Sequence, residues 1–261
     1  MYRHKLTQVR PKSANAQRLQ RLMLEYHDFR LARRDHHLAE AVSTLGQWQA
    51  KRLRHTHRDL YQSPRYQAGL DFLLDDLYAP REFSRRDDDF ERIFPTMVRL
   101  LPGSALHTLA ELVELNLISQ KMDLAMAEAL QLQLNLGPGD IPALTGEQYG
   151  RAYRFCGDHQ MRLRQIQLVS AIGTDLERYV SNRALRMALR ATERPAEMAG
   201  LGELHRFIRE GCRVFRTMDG VDELLDQVVE RETWILEQML AGNPLPETLP
   251  PHLNGQSASS I

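Results

Sequence analysis

Apolar residues recur at spacings of three and four along most of the chain, and alternating segments of period two are essentially absent. Such spacing is the signature of amphipathic helices, because it keeps one face apolar at 3.6 residues per turn. Leu19, Leu22, Tyr26 and Phe29 begin the pattern, and Leu38, Val42, Leu45 and Leu53 continue it. No proline stands between Pro11 and Pro64, so residues 13–62 read as one long basic helix, with a bend expected at Arg33–His37 or Gly46. Ser63-Pro64 then caps a helix lined by Tyr66, Leu70, Leu73, Leu74 and Leu77, which Pro80 ends. Ser84 opens another, bearing Phe90, Ile93, Phe94, Met97, Val98 and Leu101. After Pro102-Gly103 comes a long helix of about residues 105–135, and Gly137–Pro142 is the clearest loop. Thr145 and Gln148 match a capping box for the next helix, and Gly157 is its expected break. Further helices are predicted at about 158–180, 182–192, 196–217 and 220–241. The expectation is an all-α, multi-helix bundle of about eight or nine helices. It has a flexible N-terminus (1–12), a long basic helix (13–62), a helical core domain (63–241) and a disordered tail (242–261).

With 43% hydrophobic and 26% charged residues over 261 positions, the chain has the composition of a folded protein with a substantial core. No apolar run approaches the ~18 residues of a membrane-spanning helix. No apolar segment follows the early positive charges, and two cysteines make no disulfide framework, so the cytoplasm is the natural compartment. The formal net charge is zero, but its distribution is uneven. Residues 1–60 hold 13 Lys and Arg against five Asp and Glu, and the rest of the chain carries the compensating negative charge. Such asymmetry fits a basic element packed on an acidic body, or a surface for nucleic acid.

Phe72-Leu-Leu-Asp-Asp-Leu-Tyr78, with Pro80, Phe83, Arg86 and Asp87 after it, forms a compact block of aromatic, apolar and charged positions. The block resembles the bacterial proteins named for an FFLEELY motif. Phe72, Leu74, Leu77 and Tyr78 match it directly, whereas Leu73, Asp75 and Asp76 depart from it. The resemblance implies a helical protein without an assigned activity, and it transfers no catalytic residue. Read as residues, the block is a packing corner: the leucines and Tyr78 dock the helix, and Arg86-Asp87 begins the next.

Candidate chemistry is sparse. Asp87 and Glu91 share a helix face, yet acids in a first helical turn are favoured by the helix dipole without any metal. No histidine follows a glutamate at the spacing of a di-iron bundle, and Cys156-Gly-Asp-His159 is a lone pair, so neither metal nor cofactor is expected. Glycine-rich phosphate loops and a Gly-x-Ser-x-Gly elbow are missing from the sequence. Tyr149, Tyr153, Arg154, His159, Arg162, Arg164 and Gln165 are the best candidates for a polar pocket, because aromatic and guanidinium groups together hold anionic or planar ligands between helices. Arg30, Arg33, Arg34, Arg52 and Arg54 form the candidate basic surface. The leading expectation is a protein-interaction or scaffold role with a protein partner or a second copy. Nucleic-acid binding through the basic helix, or a helical enzyme or ligand-binding protein with an interhelical pocket, stand as alternatives. An enzyme is the less favoured reading.

Overall fold

The computed structural model describes residues 2–34, 36–72, 92–99, 101–183, 187, 190–191, 193–198 and 202–254. These residues form an all-α helical bundle, with no strand among them. In chain order the helices are α1 (Tyr2–Gln8), α2 (Ala14–Arg34), α3 (Ala39–Thr56), α4 (Arg58–Gln62), α5 (Gln67–Phe72) and α6 (92–99). Then follow α7 (Gly103–Leu134), α8 (Gly146–Cys156), α9 (His159–Ser181), α10 (Glu193–Met198), α11 (Gly202–Thr217) and α12 (Asp222–Leu240). Most of the block that begins at Phe72, from residue 73 through Pro80, Phe83, Arg86 and Asp87, lies outside the described residues, as does the acid run ending at Glu91.

The 32-residue helix α7 is the axis of the bundle, about 48 Å long at 1.5 Å per residue. It packs against α2, α3, α8 and α9, so apolar residues are needed on several of its faces. Leu106, Ala110, Ile118, Met122, Met126 and Leu130 supply them, and each is buried in one of the core clusters around it. Its end is set by Asn135, whose left-handed conformation (φ 53°) is one that asparagine tolerates better than most residues. Local signals also set α8 and α9. Thr145 Oγ1 accepts from the Gln148 amide at 3.2 Å, while Gln148 Oε1 accepts from the Thr145 amide at 3.0 Å. Gly157, at φ 68°, closes α8, and Asp158 Oδ1 caps α9 by accepting from the Met161 amide.

Residues 13–62 are divided. The stretch breaks after Arg34 and again at His57, giving α2, α3 and α4. The first break falls where the apolar stripe lapses, and a turn forms with His36 N donating to Arg33 O at 3.1 Å. Both chain ends also differ from expectation. Rather than a flexible segment, residues 2–8 form α1, whose Leu6 is fully buried with Leu19 and Phe94. Gln20 Nε2 donates to the carbonyls of Leu6 and Val9, which ties the end of that helix down.

Of the expected tail, residues 255–261 lie outside the described residues, and residues 242–254 lie over the bundle with Leu245, Leu249 and Leu253 buried beside Tyr149, Ile235 and Met239. Prolines rule out a regular helix there, but leucines four apart still supply anchors. The segment is held closely at Gly146, whose carbonyl accepts from the Leu245 amide at 2.9 Å. A Cβ at position 146 would stand 2.7 Å from the Leu245 carbonyl oxygen, a backbone atom that cannot swing away. Gly146→Ala is therefore expected to lose about 1–3 kcal/mol despite alanine's better helix propensity. Urea unfolding checks this, and a stabilised variant would show that the segment is not docked as described.

Candidate functional site

Two polar regions stand out from the apolar packing. One is a buried cluster where α3, α7, α8 and α9 meet, with Arg33 of α2 and Glu232 of α12 nearby. The other is an open cleft between α7 and α9.

In the cluster, three aromatic rings pack in series. Trp48 stacks on Tyr149 with centroids 4.7 Å apart, and Tyr149 meets Tyr153 at 5.8 Å. The helical spacing of four puts both tyrosines on one face of α8. Gln49 Nε2 donates to the Tyr149 hydroxyl at 3.4 Å. The Arg162 guanidinium lies 4.4 Å from the Tyr153 ring centroid, a cation–π arrangement. Arg162 is only 8% exposed, and its Nη2 has no hydrogen-bond partner among the described residues. Burying a guanidinium donor without an acceptor is costly, so native proteins normally supply one.

Asp123, from α7, interacts electrostatically with Arg162. Burial pushes its carboxyl up to about 6, against the opposing pull of Arg162, a hydrogen bond from Gln49, and Arg33. Burial likewise raises the Tyr153 phenol and the Cys156 thiol, each opposed by the charge of Arg162. A carboxyl raised from 3.8 to about 6 favours the protonated native state. Its contribution to stability is complete below pH ~4 and is lost as pH rises through 6. Asp123→Asn is therefore expected to be more stable than the wild type at pH 8, by roughly 1–3 kcal/mol, and equal to it at pH 4. Thermal unfolding across that range reads the difference.

Next to this cluster is an ion-paired group. Arg52 Nη1 lies 2.6 and 2.8 Å from the two Glu232 carboxylate oxygens, and His57 Nε2 lies 2.9 Å from Oε1. Burial works to raise the Glu232 carboxyl, but the charge of Arg52 and the contacts with His57 outweigh it and hold it at about 2. Glu232 is thus ionised at every physiological pH, which suits a structural anion rather than a proton carrier.

The cleft between α7 and α9 has a volume of about 450 Å³, with His107, Glu111, Asp175 and Arg178 among its lining residues. Its charges are largely matched. Asp175 accepts from the buried Thr108 hydroxyl and from Arg178, and Glu111 faces His107 at 3.4 Å. Further along α7, Glu114 is held by Arg18 of α2 and Arg164 of α9. Such paired groups tie helices together and have little left to offer a ligand.

Of the pocket candidates named from sequence, Tyr149, Tyr153 and Arg162 come together. Arg154 turns away, its Nη1 donating to Met239 O and Asn243 O beyond the end of α12. His159 is exposed at the first turn of α9, Arg164 pairs with Glu114, and Gln165 bonds Ser119. Arg30 and Arg33 stand near the end of α2. Arg52 is occupied by Glu232, Arg54 is half-buried on α3, and the side chain of Arg34 lies outside the described residues. Phe72, the first residue of the aromatic and acidic block, is 8% exposed and packs under α11, where a Cβ at Gly211 would come within 3.0 Å of its ring. Sequence reasoning did not find Gln49, Asp123, His57 or Glu232. A signal for Asp123 existed: it is an acid set among the apolar positions Met122, Leu124, Met126 and Ala127 of α7.

Among the described residues, no group of three or more His, Cys, Asp or Glu could hold a metal ion. No described helix is long and apolar enough to cross a membrane. No curated protein and no solved structure matches the chain. A family model does match, over residues 28–246, which takes in every member of the buried cluster. The chain belongs to the family described as Domain of unknown function (DUF8198).

Proposed function

We propose that this protein binds a small polar molecule at the junction of α3, α7, α8 and α9, with Arg162 as the principal contact. The observation behind this reading is the Arg162 guanidinium, 8% exposed and with a buried Nη2 that no described residue accepts from. A bound acceptor relieves that cost. Trp48, Asp123 and Tyr153 are each partly exposed, which gives a ligand a route from the surface. Binding sites of this kind join an apolar, aromatic lining to a few convergent polar groups.

The internal ion pairs bear on the other readings. Arg18 with Glu114 and Arg52 with Glu232 place part of the N-terminal positive charge against acids of the bundle. That supports a basic element packed on an acidic body, and it removes Arg52 from a surface that could contact phosphate or a partner. Native mass spectrometry of protein freshly purified under mild conditions tests the proposal. A retained small molecule is expected on the wild type and not on Arg162→Met. Equal spectra for the two proteins, together with no thermal shift of the wild type by any of a panel of small acids, would refute it.

A further inference from the structure

Residues 243–254 carry four prolines and a leucine at every fourth position. Their side chains divide sharply: Leu245, Leu249 and Leu253 are buried, whereas Pro244, Glu247, Thr248 and His252 are exposed. Side chains from three helices grip the main chain of the segment. Arg154 of α8 donates to Asn243 O at 3.1 Å, His55 Nε2 of α3 lies 3.2 Å from Glu247 O, and Arg231 of α12 donates to Leu253 O at 2.8 Å. The Leu245 amide adds a fourth bond, to Gly146 O at 2.9 Å. Gly146 and Gly150 stand about one turn apart on α8. A Cβ at either would meet the main chain of the segment, Leu245 O at 2.7 Å and Asn243 O at 3.2 Å. Glycine weakens a helix, so two on one face mark a track along which a second backbone runs.

Main-chain capture combined with sockets for spaced apolar side chains is how folded domains read extended peptides. The backbone bonds give affinity and the spaced side chains give selectivity. We infer that the groove of α3, α8 and α12 is a peptide-binding surface which residues 243–254 occupy in cis, and that its partner is an extended, proline-interrupted segment of another protein with leucines four apart. The resident segment fills the groove incompletely, leaving a cavity of about 130 Å³ between residues 246–249 and the end of α3 at His55 and Thr56. Between residues 244–254 and the rest of the described chain, the Leu245 bond is the one main-chain to main-chain hydrogen bond, and the prolines have no amide to offer another. Gly242, at φ 100° with open space where a Cβ would stand, is the pivot at which the segment leaves α12. Few backbone bonds and three apolar anchors give the segment a low opening free energy, so it lifts while the helices stay folded. Its tether holds it at a high effective concentration, and a free peptide competes poorly until the resident anchors are disabled.

Hydrogen exchange on the full wild-type chain tests release without any substitution. The Leu245 and Leu253 amides are expected to exchange at least ~100-fold faster than those of Ile235 and Leu236 in α12. Equal rates would place the segment in the cooperative core and overturn the proposal. Occupancy is tested with a fluorescent peptide of residues 243–254 and the full-length Leu249→Asp protein, whose own segment lacks its central anchor. The peptide should bind that protein at least ~tenfold more tightly than the wild type, and a peptide with all three leucines changed to serine should bind neither. Arg154→Met in the same background should weaken binding about fivefold, through the lost bond to a main-chain carbonyl. A peptide that keeps the leucines and prolines but scrambles the exposed positions should bind as well as the native one. Its failure would show that the groove reads only this chain's own segment, and would overturn the proposal. Equal binding of the serine peptide, or no gain in Leu249→Asp, does the same. So does a concentration-dependent wild-type dimer that Leu249→Asp abolishes, which gives the groove to a second copy.

Discussion

Replacing Arg231 by methionine is expected to destabilise the protein by about 3 kcal/mol, among the largest effects available from a single substitution. Arg231 is 1% exposed, yet it is charged and joins three separate parts of the chain. From α12 its Nη1 and Nη2 grip both Asp59 oxygens, at 2.7 and 2.6 Å, at the start of α4. Its Nε donates to the Leu253 carbonyl at 2.8 Å, near the end of the docked C-terminal segment. Methionine fills much of the volume but strands the Leu253 carbonyl and the Asp59 carboxylate. The Asp59 side chain is 42% exposed and can rehydrate, which keeps the loss toward the lower end of the usual range. Asp59→Asn serves as the control. It keeps an acceptor for Arg231 and should cost only about 1–2 kcal/mol. Urea denaturation at pH 7 measures both, and limited proteolysis should cut the Arg231→Met variant faster within residues 242–254. A loss under 1 kcal/mol would show that Arg231 does not hold these parts together.

The second large effect is on acid stability, through Glu232. Its carboxyl is held at about 2 in the folded protein against the usual 4.5, so the native state binds fewer protons than the unfolded chain. The resulting stability is fully present above pH ~4.5 and is lost as pH falls toward 2. A difference of that size corresponds to about 3 kcal/mol. Glu232→Gln leaves Arg52 and His57 facing a neutral amide and should lose a similar amount at pH 7, while its stability changes less between pH 5 and 2. A variant that matches the wild type at pH 7, or keeps the same acid profile, would remove Glu232 from this role.

Much of the fold is legible without coordinates because helical structure is encoded locally. The spacing of three and four, the Thr145–Gln148 capping box, Gly157 and the Pro102-Gly103 junction each act within a few residues. The elements they predict stand close to α7, α8, α9 and α12. The candidate site was legible in part. Tyr149, Tyr153 and Arg162 fall on neighbouring helices joined by a single tight turn, so sequence proximity put them in one group. The same reasoning gathered Arg154, His159 and Arg164, whose positions around their helices send them to other partners. Gln49 lies 100 residues before Tyr149, and no local rule connects them.

The chain ends make the same point. Leu6, Leu245, Leu249 and Leu253 sit in segments too short or too rich in proline for a strong helical pattern, and composition alone makes them look unstructured. They are buried because grooves on the bundle accept them, and those grooves exist only once distant helices have packed. The charge asymmetry follows this pattern too, since Arg18 and Arg52 find their acids 96 and 180 residues away.

By itself, then, the amino-acid order determined the helical class, the principal helix boundaries and the aromatic and guanidinium partners on α8 and α9. Periodicity and capping are interactions between near neighbours. Only the tertiary structure decided which charges are internal, which ends are docked and which buried groups are paired. Burial and pairing depend on residues far apart in the chain, and desolvation gives Asp123, Glu232, Arg162 and Arg231 properties that their types alone do not carry.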